Sequence, residues 1–213
     1  MKLPLLRYYR QLPWFKGKLR IGKILFKNDI TQSLPVTFSA HNRIQYKIPN
    51  TIESLGIELL INGIYERQLI GFLNANIRQG NVLVDIAANV GAIELPVVKN
   101  TIGVKYIGFE ASPAVFEYLT YNFKTNKIEN YALHNHLIHE KDSETLKFYQ
   151  GEYYGKGSLA PTYTHDHIMV PSVSMDSFCG ANKITHIQWM KIDVQGFELY
   201  VFKGMKHLLQ EKK

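Results

Sequence analysis

The chain has 213 residues, 46% hydrophobic and 20% charged, which is the composition of one globular domain and excludes a disordered or repetitive protein. Its single cysteine excludes an intrachain disulfide, so any zinc site would need His, Asp or Glu ligands. No apolar run is long enough for a signal-peptide core or a membrane-spanning helix, and we therefore expect a cytoplasmic protein.

The net charge of +7 arises in the N-terminal part of the chain. Residues 1–50 hold ten Lys and Arg against one acid, Asp29. Prolines and short apolar runs predict a basic N-terminal extension of short strands and turns, followed by the main domain over residues 51–213. Basic residues interleaved with aromatic ones could touch anionic lipid or nucleic acid, whereas a solvated flank is the simpler interpretation. We expect at most weak contact with a membrane surface, and no nucleic acid partner.

The remaining elements follow an alternating pattern. Apolar residues recur at helical spacing over residues 53–77, with Gly63 as the break between two helices. The apolar run before Asp85 predicts a strand buried on both faces. Ser112 as N-cap and Pro113 as first helical residue predict the start of a helix. Further strands are expected over residues 106–109, 132–138, 145–149, 168–173 and 187–194. This alternation predicts an α/β fold with a parallel sheet.

Two carboxylates end neighbouring predicted strands. Asp85 ends VLVD, and Glu110 ends YIGFE twenty-five residues later, which is the length of one strand-helix-strand unit. Both carboxylates should therefore lie at the carboxyl edge of the sheet, where ligands bind. The intervening Ala87, Asn89 and Gly91 belong to a loop of small residues that lets a ligand approach the backbone.

The charge that a cofactor would bring to this loop separates two classes of adenosine cofactor. Nicotinamide and flavin dinucleotides bring a pyrophosphate, which needs a G-x-G-x-x-G loop that is absent here. S-adenosylmethionine carries a sulfonium and an ammonium, which Asp85 would attract. Glu110 can bond both ribose hydroxyls under either interpretation. S-adenosylmethionine is the better fit, with a nucleotide-cofactor oxidoreductase as one alternative and a capping role for Asp85 as another.

Several ordered motifs between about Gly63 and Met205 resemble the FkbM-type methyltransferases. They are GIYE, DIAANVG, FEASP, NHLIHEKDS, VSMDSF and KIDVQGFE. The resemblance implies a Rossmann-like class I methyltransferase sheet with helices on both faces, S-adenosylmethionine as cofactor, and methylation of a substrate hydroxyl. Ala87 departs from the family pattern D-x-G-A-N-x-G, in which a glycine stands at that position.

The family pattern continues beyond the helix that follows KIDV. We therefore expect residues 51–213 to form a C-terminally incomplete methyltransferase domain that lacks its C-terminal strands. The strand over residues 187–194 should then have one free edge. An unpaired edge of this kind is a template for association with another chain.

A second acidic centre lies in the motif KIDVQGFE. Strand alternation points Lys191 and Asp193 to one side of the strand, and Asp193 should reach the ligand crevice. We take both as candidate catalytic residues, with a buried ion pair between them or a sheet-edge network as the alternative. Other candidate proton acceptors are His136, His139, His165 and His167. The His165-Asp166-His167 triplet has no distant partner motif, so we expect no metal site.

The acceptor is less defined than the cofactor. The segment over residues 151–164 is rich in Gly, Tyr, Ser and Thr and is typical either of a polar-substrate loop or of a ligand-free hairpin turn. Its candidate contacts are Tyr153, Tyr154, Lys156 and Ser158. We expect O-methylation of a hydroxyl on a sugar, another glycan acceptor or a small polar metabolite. A non-catalytic or truncated member that only binds an adenosyl ligand is the alternative.

Overall fold

The computed structural model describes residues 3–30, 33–150, 153–161 and 164–210. The chain forms two compact units that interleave along the sequence. The first comprises Met1–Asn76, Val90–Asn100 and Tyr118–Ile128, and the second comprises Ile77–Asn89, Thr101–Glu117 and Glu129–Lys213. The boundary expected near residue 50 stays a prediction.

The first unit is mainly helical. Its elements are α1 (Leu3–Gln11), α2 (Lys18–Leu25), α3 (Lys27–Ile30), β1 (Val36–Ser39), β2 (Gln45–Ile48), α4 (Ser54–Asn62), α5 (Arg67–Asn76) and α6 (Glu94–Asn100). Strands β1 and β2 pair in antiparallel register. The predicted helix break is confirmed, because α4 ends at Gly63 with a φ of 72°, the left-handed conformation that glycine adopts without steric cost.

The prediction of short strands and turns over residues 1–50 is correct only for the β1–β2 hairpin. Residues 3–30 form three helices instead. Their buried side chains, Leu6, Tyr9, Phe26 and Ile30, recur at three- and four-residue spacing within α1 and between α2 and α3. The exposed face next to these buried side chains is also apolar, which obscures the helical period in the sequence.

The second unit contains the central parallel sheet. Its strands are β3 (Val82–Ile86), β4 (Lys105–Phe109), β5 (Tyr131–His134) and β9 (Trp189–Ile192), in the spatial order β5-β4-β3-β9. All three neighbouring pairs are parallel. Helix α7 (Pro113–Thr125) begins in this unit and ends in the first one. The predicted α/β fold with a parallel sheet is confirmed.

A second sheet follows in the same unit. It contains β6 (Leu137–Ile138), β7 (Thr145–Tyr149) and β8 (His167–Val173), in the order β6-β8-β7, with β7 and β8 antiparallel. Helices α8 (Met175–Ala181), α9 (Glu198–Lys203) and α10 (Lys206–Gln210) complete the unit. The single strand expected over residues 132–138 is wrong. The chain leaves the first sheet at Asn135, whose side-chain amide donates to the carbonyls of Glu110 and Ala111.

The core of the second unit lies between the parallel sheet and α8 and α9. It contains Val84, Ile86, Ile107 and Phe109 from the sheet and Phe178, Cys179 and Val201 from the helices. Met190, Ile192 and Val194 pack against this cluster, which confirms the predicted alternation around Lys191. Phe109 meets Phe178 edge-to-face at a centroid distance of 4.7 Å, a favourable aromatic geometry.

Strand β9 lies at one end of the parallel sheet. Within the described ranges it pairs with β3 on one side, and no strand pairs with its other side. The expectation that C-terminal strands are missing is not confirmed by this and stays a prediction. No helix in the described part of the chain is long and apolar enough to cross a membrane.

Candidate cofactor and catalytic site

The register of the parallel sheet aligns three residues at its carboxyl edge. Ile86 of β3 pairs with Phe109 of β4 on one side and with Ile192 of β9 on the other. Pairing continues for one more step, since Ala88 N–H donates to Phe109 O at 2.8 Å and Asp193 N–H to Ile86 O at 3.4 Å. Ala87 therefore lies between Glu110 and Asp193, whose backbones are separated by two strand spacings, roughly 10 Å.

Glu110 is held firmly in place at this edge. Its side chain is buried, one carboxylate oxygen accepts from Asn89 N–H at 2.9 Å, and the other accepts from Ser112 N–H at 2.9 Å. A carboxylate offers about four acceptor positions, so each oxygen retains one for a further donor. Two neighbouring hydroxyl groups, such as those of a ribose, match this pair of acceptors.

Burial is also the largest influence on the acidity of Glu110. It raises the pKa of this carboxyl from 4.5 to about 7, although the hydrogen bonds from Ser112 and Asn89 act in the opposite direction. The folded protein therefore holds this proton more tightly than the unfolded chain does. The contribution of Glu110 to stability is greatest below about pH 4.5 and is lost as the pH rises through about 7.

The loop after β3 contains two residues in the left-handed conformation. Ala87 has a φ of 67° and Asn89 a φ of 52°. Asparagine tolerates this region well, whereas alanine does so at a cost of about 1 kcal/mol. The family pattern has a glycine at position 87, and the backbone there adopts the conformation that favours glycine.

Packing within the first unit requires a glycine at position 91. Its φ is 76°, and a Cβ added there would lie 2.9 Å from the Phe123 ring and 3.1 Å from Leu119. Close packing against α7 therefore accounts for this glycine. Its proposed part in binding the cofactor stays a prediction.

Asp85 and Lys191 contact each other across β3 and β9. Asp85 is fully buried, and its Oδ1 lies 3.0 Å from Lys191 Nζ, while its Oδ2 accepts from the Tyr106 hydroxyl at 3.3 Å. Direct contact of Asp85 with a cofactor does not fit this burial. Lys191 thus forms its ion pair with Asp85, whereas the alternative expected from the sequence paired it with Asp193. The binding role of Asp85 and the catalytic role of Lys191 stay predictions.

Asp193 is the exposed carboxylate of this edge. Its contact is weak, a 3.4 Å hydrogen bond from the Gln195 side-chain amide. Glu198, five residues later, accepts from Gly196 N–H at 3.2 Å and begins α9, as a capping carboxylate does. Asp193 is therefore the member of the KIDVQGFE motif that remains available to a substrate.

Three neighbours of the site were not predicted as site residues, although Ser112 was expected as an N-cap. Ser112 donates its N–H to Glu110, Asn135 fixes the Glu110 and Ala111 carbonyls, and Gln150 donates to the Ser112 hydroxyl. Ser112 lies in the FEASP motif and Asn135 in the NHLIHEKDS motif. Their position in these motifs was the sequence signal that could have pointed to them. The sequence could not show that Ser112 bonds the Glu110 carboxylate while Asn135 and Gln150 bond the backbone and side chain of the same segment.

The other candidates lie in varied surroundings. His139 is buried and stacks on Tyr200 at 4.8 Å, and burial lowers the pKa of His139. His165 and His167 are exposed, and His136 is half-buried. Ser158 pairs with Tyr149 through both backbone groups. Residues 151–152 and 162–163 of this segment lie outside the described residues, and its contact with an acceptor stays a prediction. Across the described ranges, no group of three or more His, Cys, Asp or Glu side chains is arranged to hold a metal ion.

The family assignment follows from a sequence profile. The profile of the methyltransferase FkbM domain matches residues 85–213, more than half of the chain. The chain belongs to this family. The predictions of family, enzyme class and cofactor are thereby confirmed: the domain is that of an S-adenosylmethionine-dependent methyltransferase. No curated protein matches the chain significantly.

Solved structures resemble the chain only distantly. P. horikoshii TYW2 in complex with MeSAdo is 19% identical, with a TM-score of 0.38 over 55% of this chain and 47% of that chain. M. jannaschii TYW2 in complex with AdoMet is 20% identical, with a TM-score of 0.36 over 48% and 43%. Trm5b from Pyrococcus abyssi is 17% identical, with a TM-score of 0.37 over 54% and 34%. The chain thus spans less than half the length of these proteins, and the likeness is too distant to assign a substrate.

The polar atoms of the loop fit the adenosyl part of S-adenosylmethionine. Glu110 retains free acceptor positions, and the buried Asn89 Oδ1 has no hydrogen-bond partner among the described residues. A buried acceptor without a donor is costly, so a ligand donor at Asn89 would be stabilising. These groups are acceptors, which suit hydroxyl and ammonium donors and disfavour a pyrophosphate.

We predict that Ala87→Gly stabilises the protein by about 1 kcal/mol, because it removes the left-handed strain of a non-glycine residue. For a chain of this size, that gain raises the Tm by about 2–4 °C in a thermal unfolding experiment. Ala88→Gly is the matched control. Ala88 is buried without a positive φ, so this second change should lower the Tm. Equal shifts in both variants would contradict the strain at Ala87.

We predict that Lys191→Met destabilises the protein by about 3 kcal/mol, since it leaves the Asp85 carboxylate buried without its counter-charge. Adding Asp85→Asn to this variant should restore much of the loss. The free energy of unfolding in urea measures both effects. Lys147→Met, an exposed position on β7, should change stability by less than about 0.5 kcal/mol. If Asp85→Asn does not restore stability to the Lys191→Met variant, the broken ion pair is not the cause of the destabilisation.

Proposed function

We propose that this protein transfers a methyl group from S-adenosylmethionine to a hydroxyl of a sugar, another glycan or a small polar metabolite. The observation that carries the proposal is the alignment of Glu110, Ala87 and Asp193 along the carboxyl edge of β4, β3 and β9. A buried carboxylate for ribose lies on one side of a small residue. An exposed carboxylate for the acceptor lies on the other side.

The division of roles follows from the environment of each carboxylate. Glu110 is buried and accepts two backbone N–H bonds, which fixes its orientation toward a ligand. Asp193 is exposed, and an exposed carboxylate can approach an incoming hydroxyl. Bound S-adenosylmethionine supplies an electrophilic methyl group on its sulfonium. Asp193 then orients the acceptor hydroxyl and takes its proton as the oxygen is methylated.

The acceptor class rests on the segment after β7. Tyr153 lies 4.8 Å from the Lys156 ammonium in a cation–π contact, and Ser158 is fixed by its bridge to Tyr149. Aromatic faces stack on the apolar faces of sugar rings, and hydroxyl and ammonium groups bond to sugar hydroxyls. This composition supports a polyhydroxylated acceptor.

We predict that 5′-methylthioadenosine binds about tenfold more tightly at pH 8 than at pH 6. With a pKa of about 7, the Glu110 carboxyl is mostly protonated at the lower pH and mostly ionised at the higher pH, where it accepts from both ribose hydroxyls. This ligand lacks the amino acid part of the cofactor and therefore does not titrate in this range. Isothermal calorimetry at both pH values measures the change.

Glu110→Gln provides the control for this experiment. It should remove the pH dependence and weaken binding at pH 8 by about 1.5–3 kcal/mol, the usual loss for a hydrogen bond to a charged group. Free adenine, which lacks ribose, should show no pH dependence with either protein. An unchanged affinity in Glu110→Gln would exclude Glu110 from the binding site.

We predict that Asp193→Asn lowers kcat at least tenfold and leaves the affinity for S-adenosylmethionine within about twofold, because general-base catalysis contributes in the chemical step. Transfer of a radiolabelled methyl group to a panel of monosaccharides and glycosides identifies an acceptor and then measures both constants. Glu129→Gln, an exposed change before the amino end of β5, is the matched control. Wild-type turnover in Asp193→Asn would refute the assigned role, and no transfer to any hydroxyl acceptor would refute the proposed function.

A further inference from the structure

Helices α1 and α2 carry apolar side chains on two adjacent faces, one buried and one exposed. The inward face supplies Leu6 and Tyr9 from α1, and Gly22 of α2 packs against Ile61. The outward face is equally apolar and exposed, with Leu5 57%, Tyr8 74%, Ile24 71% and Leu25 56% exposed. A fold needs only the first of these faces, since one apolar stripe is enough to pack a surface helix.

The turn between the two helices adds aromatic residues to the outward face. Trp14 is 54% exposed and Phe15 is 38% exposed, and the Arg67 guanidinium lies 5.0 Å from the Trp14 ring. Leu12 and Ile21 extend the same exposed set to both sides of the turn. We call this set the outer face: Leu5, Tyr8, Leu12, Trp14, Phe15, Ile21, Ile24 and Leu25. Scattered exposed apolar residues are ordinary, but a concentration of eight within residues 5–25 indicates an interaction surface.

The charged residues near the outer face are mostly cations, with Glu58 as an acid close to Lys23. Exposed cations accompany the outer face at Arg7, Lys16, Arg20, Lys23 and Lys27. The only acid in residues 1–50 is Asp29. Two other cations serve the fold: Arg10 donates to the Leu60 and Ser39 carbonyls, and Lys18 to the Arg10 and Leu12 carbonyls. The exposed five are therefore not required by these internal contacts.

We propose that the outer face binds the surface of an anionic lipid bilayer. Short amphipathic helices with Lys and Arg beside Trp, Phe, Leu and Ile lie in the interfacial plane of such membranes. The cations attract anionic headgroups, and aliphatic side chains enter the acyl boundary. Nucleic acid would share the electrostatic attraction but offers no apolar phase for Leu5, Ile24 and Leu25. The aliphatic residues therefore favour lipid.

Vesicle flotation with the whole protein tests this proposal. Vesicles of phosphatidylcholine with about a third phosphatidylglycerol should carry the protein, and binding should fall when salt rises because the attraction is screened. Pure phosphatidylcholine vesicles should carry much less. The double change Lys23→Glu and Lys27→Glu should weaken binding to the anionic vesicles at least tenfold.

Two matched controls separate the outer face from general charge and hydrophobicity. Lys147→Glu with Lys183→Glu makes the same change in net charge at exposed positions of the second unit and should leave vesicle binding almost unchanged. Ile24→Ser should weaken binding severalfold, whereas Ile102→Ser, at a position 85% exposed in the second unit, should not. Circular dichroism and 5′-methylthioadenosine binding confirm that each variant is folded.

Three results would overturn the proposal. The first is failure to bind anionic vesicles at low salt. The second is binding to a DNA or RNA duplex that Lys23→Glu with Lys27→Glu weakens and Ile24→Ser does not, which would assign the face to nucleic acid. The third is concentration-dependent dimerisation that Ile24→Ser abolishes, with no vesicle binding, which would assign it to a second copy of the chain. Sedimentation velocity distinguishes this last case.

Discussion

The carboxylate of Asp85 is fully buried, and it lies between the Lys191 ammonium at 3.0 Å and the Tyr106 hydroxyl at 3.3 Å. A charge removed from water in this way is tolerated only with a counter-charge and hydrogen bonds. These partners come from β9 and β4, the two neighbours of β3. The order and register of the three central strands therefore depend on satisfying one acid, and the alignment of the site residues depends on that register.

Two residues beyond the ion pair, the same register separates two carboxylates with different environments. Glu110 is buried, which raises its pKa to about 7, whereas Asp193 is exposed. Under the proposed function, environment and not residue type distinguishes the acid that holds the ligand from the acid that takes a proton. Ala87 between them adopts a left-handed backbone at some cost in stability. The family glycine would avoid this cost, and the turn geometry persists here without the residue that suits it best.

The first unit also contains a buried charge, that of Arg10, but backbone carbonyls satisfy it in place of a counter-charge. Burial lowers the pKa of Arg10 to about 10, and its guanidinium is satisfied by backbone carbonyls and lies 4.7 Å from the Phe38 ring. Arg10 and Lys18 hold the helices through their inward groups. The exposed side chains of the same helices are therefore available to bind a partner. The cations of these helices thus form two groups, one that bonds to the fold and one that is exposed, and the sequence does not distinguish them.

The sequence alone determined the parallel α/β sheet, the helix break at Gly63, the family and the cofactor. These follow from local signals: apolar runs, a helix-ending glycine, and motifs whose spacing measures one strand-helix-strand unit. It could not determine which carboxylate is buried, because burial depends on distant neighbours, such as Tyr106 and Lys191, which are 21 and 106 residues away from Asp85. It also missed helices α1 to α3, since an apolar outer face hides the 3.6-residue period. Tertiary structure decided that Asp85 and Lys191 pair with each other and that Asp193 stays exposed, because strand register alone brings distant side chains into contact.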